Sequence, residues 1–351
     1  MLLICCRTGH AEMRQFGYTI IELMIAITIS LIILAGLVSI FANNSRTRGE
    51  IERANQQTEN GRYALQAITD DLHNAGYLAE FNPAALATPA AKPNPCDTTV
   101  AGLNGALPIA VQGYDNGANA PTCLNDLRAG TDILVVRHAS TCAVGSAGCD
   151  ANLAGDPYFQ ASDCNNATEL ASGNVATYYV LDTNPANFTL HQKDCVTLAN
   201  QYQYQTHIYF VANDDHPGDG IPTLMRAELG AGAFSIVPLA EGVENLQIEY
   251  GLDTSSPTTG TPAVYTANPD SYNGCAPAIC VGYWQNTVAA KINVLTRNTT
   301  TTQGYVDSKT YTLGLNFDGT VNTVGPFNDG YKRHAFESVV TLNNPAGRNT
   351  P

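Results

Sequence analysis

The hydrophobic pattern changes character twice along the chain. From Tyr18 to Phe41 apolar residues occupy every side, and Glu22 is the only formal charge. From Arg48 to Asn74 there is no proline, and Ile51, Ala54, Thr58, Gly61, Leu65, Ile68 and Leu72 recur in steps of three and four. Those steps draw one stripe on a helix flanked by charged residues. Together the two stretches predict a single helix of more than fifty residues, roughly 80 Å at 1.5 Å per residue. Gly49 and Gly61 are its weak points, and Ala75-Gly76 its expected end, with Gly76 as the cap. Phe81–Pro95, rich in Ala and Pro, reads as a linker.

Beyond the linker the period becomes that of strands. Short β-branched and aromatic runs lie at 133–137, 176–181, 188–191, 207–211, 246–250, 289–295, 311–315 and 336–342, separated by Gly, Asn, Asp and Pro. The expected fold class is α+β, a long amino-terminal helix packed on a mostly antiparallel β domain. The expected divisions are a leader at 1–17, a transmembrane or filament-core helix at 18–41, an amphipathic helix at 42–77, and a β-rich domain at 78–351. Segment 96–174, loop-rich and holding several cysteines, reads as an insertion within that domain.

The apolar run is long enough to cross a hydrocarbon core of roughly 30 Å. A carboxylate inside such a run costs a few kcal/mol on insertion scales and is usually kept for a reason. A secretory signal fits less well, since its apolar region is shorter and ends in small residues. The residues GYTIIELMIAI (Gly17–Ile27) resemble the processing site of type IV pilins. The resemblance implies a peptidase cut between Gly17 and Tyr18, methylation of the new amino terminus, and retention of Glu22. It also gives Glu22 an assembly role: in a filament core its carboxylate is costly unless compensated, and the Tyr18 amine of a neighbouring subunit would do this. A start at Met13 leaves a short basic leader, Met-Arg-Gln-Phe-Gly, and is expected over Met1. On either start Cys5 and Cys6 are absent from the mature chain.

The net charge is −14, and loss of two arginines and one glutamate with the leader makes it −15. A surface so poor in lysine lacks the basic track that nucleic acid requires, so none is expected as partner. Eight cysteines remain after processing: Cys96, Cys123, Cys142, Cys149, Cys164, Cys195, Cys275 and Cys280. An even number in a translocated domain reads as a disulfide framework whose connectivity spacing alone leaves open. Cys142–Cys149 and Cys275–Cys280 are plausible local pairs, leaving Cys96–Cys123 and Cys164–Cys195 to close longer loops. Zinc-type spacing is lacking, and His138, His191, His207 and His216 look scattered.

Four further segments, 61–77, 220–229, 239–253 and 284–298, resemble the PilW family of minor pilins, as does the closing HAFESVVTLNN at 334–344. His73 stands where that family usually has arginine, and the Cys-rich segment is not typical of it. The resemblance implies a non-enzymatic subunit, anchored in the inner membrane with a periplasmic domain, then assembled into an extracellular pilus. It would prime pilus assembly and sit near the tip. Implied partners are other minor and major pilins, the prepilin peptidase and the inner-membrane assembly machinery. A pseudopilin of a type II secretion system and a tip adhesin are the rival readings.

No catalytic motif appears: GxSxG, HExxH and the phosphate-cradling GxxxxGK[ST] are absent, and no cofactor is expected. Asp214, Asp215 and Asp219 are a weak Ca²⁺ candidate, since three carboxylates and a glycine supply hard oxygens. The same residues are those of a tight turn, the favoured reading. Tyr178, Tyr179, Tyr202, Tyr204 and the single tryptophan, Trp284, are expected in the core, and 298–303 at a solvated hairpin tip.

Overall fold

In a computed structural model the described residues are 17–149 and 151–350. The leader before Gly17 and the choice of start codon lie outside them. The chain divides into two compact units, Met1–Glu52 and Arg53–Pro351.

Helix α1 (Ile20–Asn74) supplies residues 20–52 of the first unit and begins the second. In the first unit every large apolar side chain from Ile20 to Phe41 is more than half exposed. That helix is apolar all round and long enough to cross a membrane. Its hydroxyls are satisfied locally, as where Thr28 donates to the Met24 carbonyl at 2.7 Å.

In the second unit α1 buries Gln57, Gly61, Ala64, Ile68, Asp71 and Leu72. This line corrects the expected stripe, because Ile51 and Ala54 are exposed. Burial begins at Gln57, whose Nε2 donates to the carbonyls of Thr296 and Lys332 at 2.8 and 3.0 Å. Gly61 is a close-approach glycine: a Cβ there would lie 2.3 Å from the Phe336 ring. The helix ends as expected, with Gly76 at φ +71° and its N–H bonded to the Arg137 carbonyl.

After a short helix α2 (Val100–Ala106) come strands β1 (Val111–Tyr114), β2 (Ile133–Ala143), β3 (Tyr158–Ala161), β4 (Tyr179–Asp182) and β5 (Gln201–Ala212). Strands β6 (Thr223–Leu229) and β7 (Phe234–Glu241) follow. They form one antiparallel sheet in the order β1-β2-β5-β3-β4, with β6 also on β5 and β7 on β6. Strands β8 (Val243–Leu252), β9 (Val264–Thr266), β10 (Thr287–Arg297) and β13 (Arg333–Thr341) make a second, ordered β13-β10-β8-β9. Between them in sequence lie helix α3 (Pro277–Gln285) and the hairpin β11 (Tyr311–Leu315) and β12 (Val321–Val324). Helix α4 (Asn343–Asn349) closes the chain. Both sheets and α1 share one core, with Ile68, Leu134, Tyr209, Ile248, Trp284 and Ile292 all buried in it.

Three expectations are corrected. Segment 96–174 is not an insertion, since it contributes β1, β2 and β3, and Ile133–Val136 of β2 are fully buried. Phe81–Pro95 is not a free linker, since Phe81 and Pro83 are buried and Phe81 packs on Phe159 and Tyr179. Residues 188–191 form no strand beyond an isolated His191–Leu198 bridge. The 298–303 loop is held by Thr302 N–H to the Gly330 carbonyl, and Asn298 is buried. Tyr202 and Tyr204 of β5 are buried as alternation predicts, Tyr178 and Tyr179 pack against the core, and Trp284 is buried on α3.

Candidate functional site

The amino-terminal segment is built by a helix start. Gly17, Tyr18 and Thr19 are non-helical and α1 begins at Ile20. Thr19 therefore occupies the cap position and Glu22 the third helical position. The Glu22 carboxylate accepts the Thr19 N–H and hydroxyl, both at 2.9 Å, while the Thr19 hydroxyl accepts the Glu22 N–H at 3.3 Å. This is a reciprocal capping box. It satisfies orphan N–H groups at the helix start and places a carboxylate at the positive end of the macrodipole.

The geometry has two chemical consequences. The peptide joining Gly17 to Tyr18 lies in exposed, non-helical backbone ahead of the helix, and Tyr18 is 89 % exposed. Backbone free of helical hydrogen bonds is what a peptidase can bind. The box also positions Glu22 one turn from the Tyr18 nitrogen, within the exposed apolar surface of the first unit. Thr19 was missed in the sequence as a functional residue, although the T-x-x-E spacing that reveals it is legible.

The cysteines sit in the second unit as Cys96–Cys123, Cys142–Cys149, Cys164–Cys195 and Cys275–Cys280. Asp214, Asp215 and Asp219 lie on the β5–β6 turn. Asp214 Oδ2 accepts the Gly218 N–H at 2.9 Å and Asp219 Oδ1 the Ile221 N–H at 2.8 Å, so these carboxylates serve the turn. Asp215 contacts the His216 ring at 3.1 Å.

The histidines are less scattered than the sequence implies. His138 on β2 and His207 on β5 both reach Asp71 on α1, whereas His191 pairs with Glu169 at 2.8 Å. Separations of 67 and 136 residues leave no motif to read.

Residues 208–344 match the family described as Type IV Pilus-assembly protein W, and residues 13–38 match the prokaryotic N-terminal methylation motif. No curated protein matches the chain. A type IV-like pilin from Thermus thermophilus aligns over 83 % of this chain and 96 % of its own, at 11 % identity and a TM-score of 0.34. The second match brackets Gly17, Tyr18 and the Thr19–Glu22 box, and the first runs from β5 to the start of α4. A prepilin-type start at 13–38, an exposed apolar helix and a PilW-type region at 208–344 stand in one polypeptide, and together they support a PilW-family type IV minor pilin.

Proposed function

We propose that this pilin primes assembly of the type IV pilus and remains near its tip. The observation that carries this reading is the exposed apolar helix headed by the Thr19–Glu22 box, joined in one chain to a disulfide-braced domain. An apolar helix of this length has two stable environments, a bilayer and a bundle of like helices, and assembly is the transfer between them. Before transfer the helix anchors the chain in the inner membrane with the domain in the periplasm, where disulfides form. Gly17 and Tyr18 define the cut made by the prepilin peptidase. After transfer Glu22 exchanges its Thr19 donors for the Tyr18 amine of a neighbouring subunit, which fixes axial register. The partners are the major and other minor pilins and the inner-membrane assembly machinery.

Deletion of the gene in its native host tests the role. The expected result is loss of surface pili, restored by the wild-type chain and not by a Gly17→Arg chain that escapes cutting. Normal piliation with lost attachment would make the protein an adhesin instead. Loss of protein secretion alone would make it a pseudopilin of a type II system. Removing 96–174 would not separate these roles, because it would take β1–β3 out of the sheet.

A further inference from the structure

We propose that Asp71, His138 and His207 form a proton-loaded clamp fastening the last turns of α1 to the first sheet, with His138 held as a buried imidazolium. Val136 of β2 stands opposite His207 of β5, so His138, two residues along β2, shares the face that α1 covers. Asp71 Oδ1 lies 2.7 Å from His138 Nε2, and Oδ2 lies 2.9 Å from His207 Nδ1. The other His138 nitrogen, Nδ1, lies 2.9 Å from the Ala139 carbonyl oxygen. A carbonyl only accepts, so Nδ1 carries a hydrogen. An ionised carboxylate only accepts, so Nε2 carries one too. Both ring nitrogens are thereby donors, and the ring is cationic beside an anionic Asp71.

The surroundings fit that charge state. Asp71 and His138 are both buried, so neither is hydrated, and a lone charge here would be costly. Burial pulls His138 down, but the Asp71 hydrogen bond and charge carry it above the ordinary histidine value. Burial pushes Asp71 up, and the two histidine hydrogen bonds hold it far below the carboxylate range. The other groups facing the clamp are Tyr209 on β5, whose hydroxyl donates to the Ala67 carbonyl, and Arg226 on β6. Arg226 opposes the His138 charge and is itself paired with Glu228.

A metal fits the same atoms poorly. Tetrahedral ligands about 2.0 Å from zinc stand about 3.3 Å apart, whereas these pairs are 2.7 and 2.9 Å apart, the separation of a shared proton.

Linkage gives the clamp two edges. The His138 contribution is whole below the ordinary histidine pKa and is lost as pH rises through its raised value. The Asp71 contribution is whole above the ordinary carboxylate pKa and is lost as pH falls through its depressed one.

The test is ¹⁵N-histidine NMR of the full chain in detergent, at about pH 7, where an unperturbed ring of pKa near 6.5 is mostly neutral. One buried ring with both nitrogens protonated, absent from the spectrum of His138→Gln and unaffected by a chelator, is expected. In Asp71→Asn, which keeps His138 for assignment if His138→Gln does not fold, that ring should turn neutral. A neutral His138 ring in the wild type would overturn the proposal, whether Asp71 holds the proton or a stoichiometric metal is found by elemental analysis. The melting temperature of His138→Gln should lie below that of wild type near neutrality, the gap closing as pH rises; a gap independent of pH would equally overturn it.

Discussion

Single charged side chains carry much of the second unit's order, and Arg333 is the clearest. Its side chain is 1 % exposed. The guanidinium holds Glu244 through Nε and Nη2, and Nη1 reaches Asp307 at 3.0 Å and Asp329 at 2.7 Å. Asp307 is fully buried, so Arg333→Met takes the guanidinium from it while the Tyr305 and Tyr311 hydroxyls remain, and takes Nε and Nη2 from Glu244 while Arg128 remains. The expected loss is about 3 kcal/mol, the scale of breaking a buried pair from one side, read from denaturant melts. Glu22 tests function at the same scale. Glu22→Ala should still be cut and methylated but be missing from sheared pili; normal incorporation would remove its assembly role. Gly17, Tyr18 and Glu22 can be picked out in the sequence because they fall within six residues and a helix start depends on local spacing. Asp71, His138 and His207 cannot, because only strand pairing brings them together.

At the scale of elements, Gly61 shows a propensity argument reversed by packing. Alanine is favoured in a helix by about 1 kcal/mol, yet its Cβ would fall 2.3–2.8 Å from three atoms of the Phe336 ring. Gly61→Ala should lower the melting temperature, and Gly61→Ala with Phe336→Leu should recover much of it. A stabilised single mutant would mean that the ring moves aside freely. Among the bridges, Cys96–Cys123 and Cys164–Cys195 close 27 and 31 residues, while Cys275–Cys280 closes five. In the chain-entropy account the long ones contribute about 3.6 kcal/mol each and the short one about 2 kcal/mol. Paired Cys→Ser variants should rank in that order by thermal melts. Strands β8 and β10 were readable from apolar runs. Strands β6 and β7 were missed because Arg226, Glu228 and Pro238 interrupt theirs, and α3 because it is short and carries a cysteine and a tryptophan. The amphipathic stripe was offset because its pattern continues into Ile51 and Ala54, which are exposed.

The molecule combines a helix whose apolar surface is unmatched within the first unit with an acidic domain complete in its own core. Residues 53–351 carry a formal net charge of −14, which favours a dispersed domain while the helix supplies attachment. Millimolar Ca²⁺ should leave the melting temperature unchanged, because the Asp214 and Asp219 carboxylates already serve the β5–β6 turn; a rise would revive the site. The central claim is that this chain is handled as a pilin, and the intact mass of protein from membranes with and without the prepilin peptidase tests it most directly. The account predicts a peptidase-dependent species beginning at N-methylated Tyr18, with all eight cysteines oxidised. A chain that keeps its leader in both strains would contradict it, leaving a signal-anchored membrane protein in which Glu22 merely caps a helix.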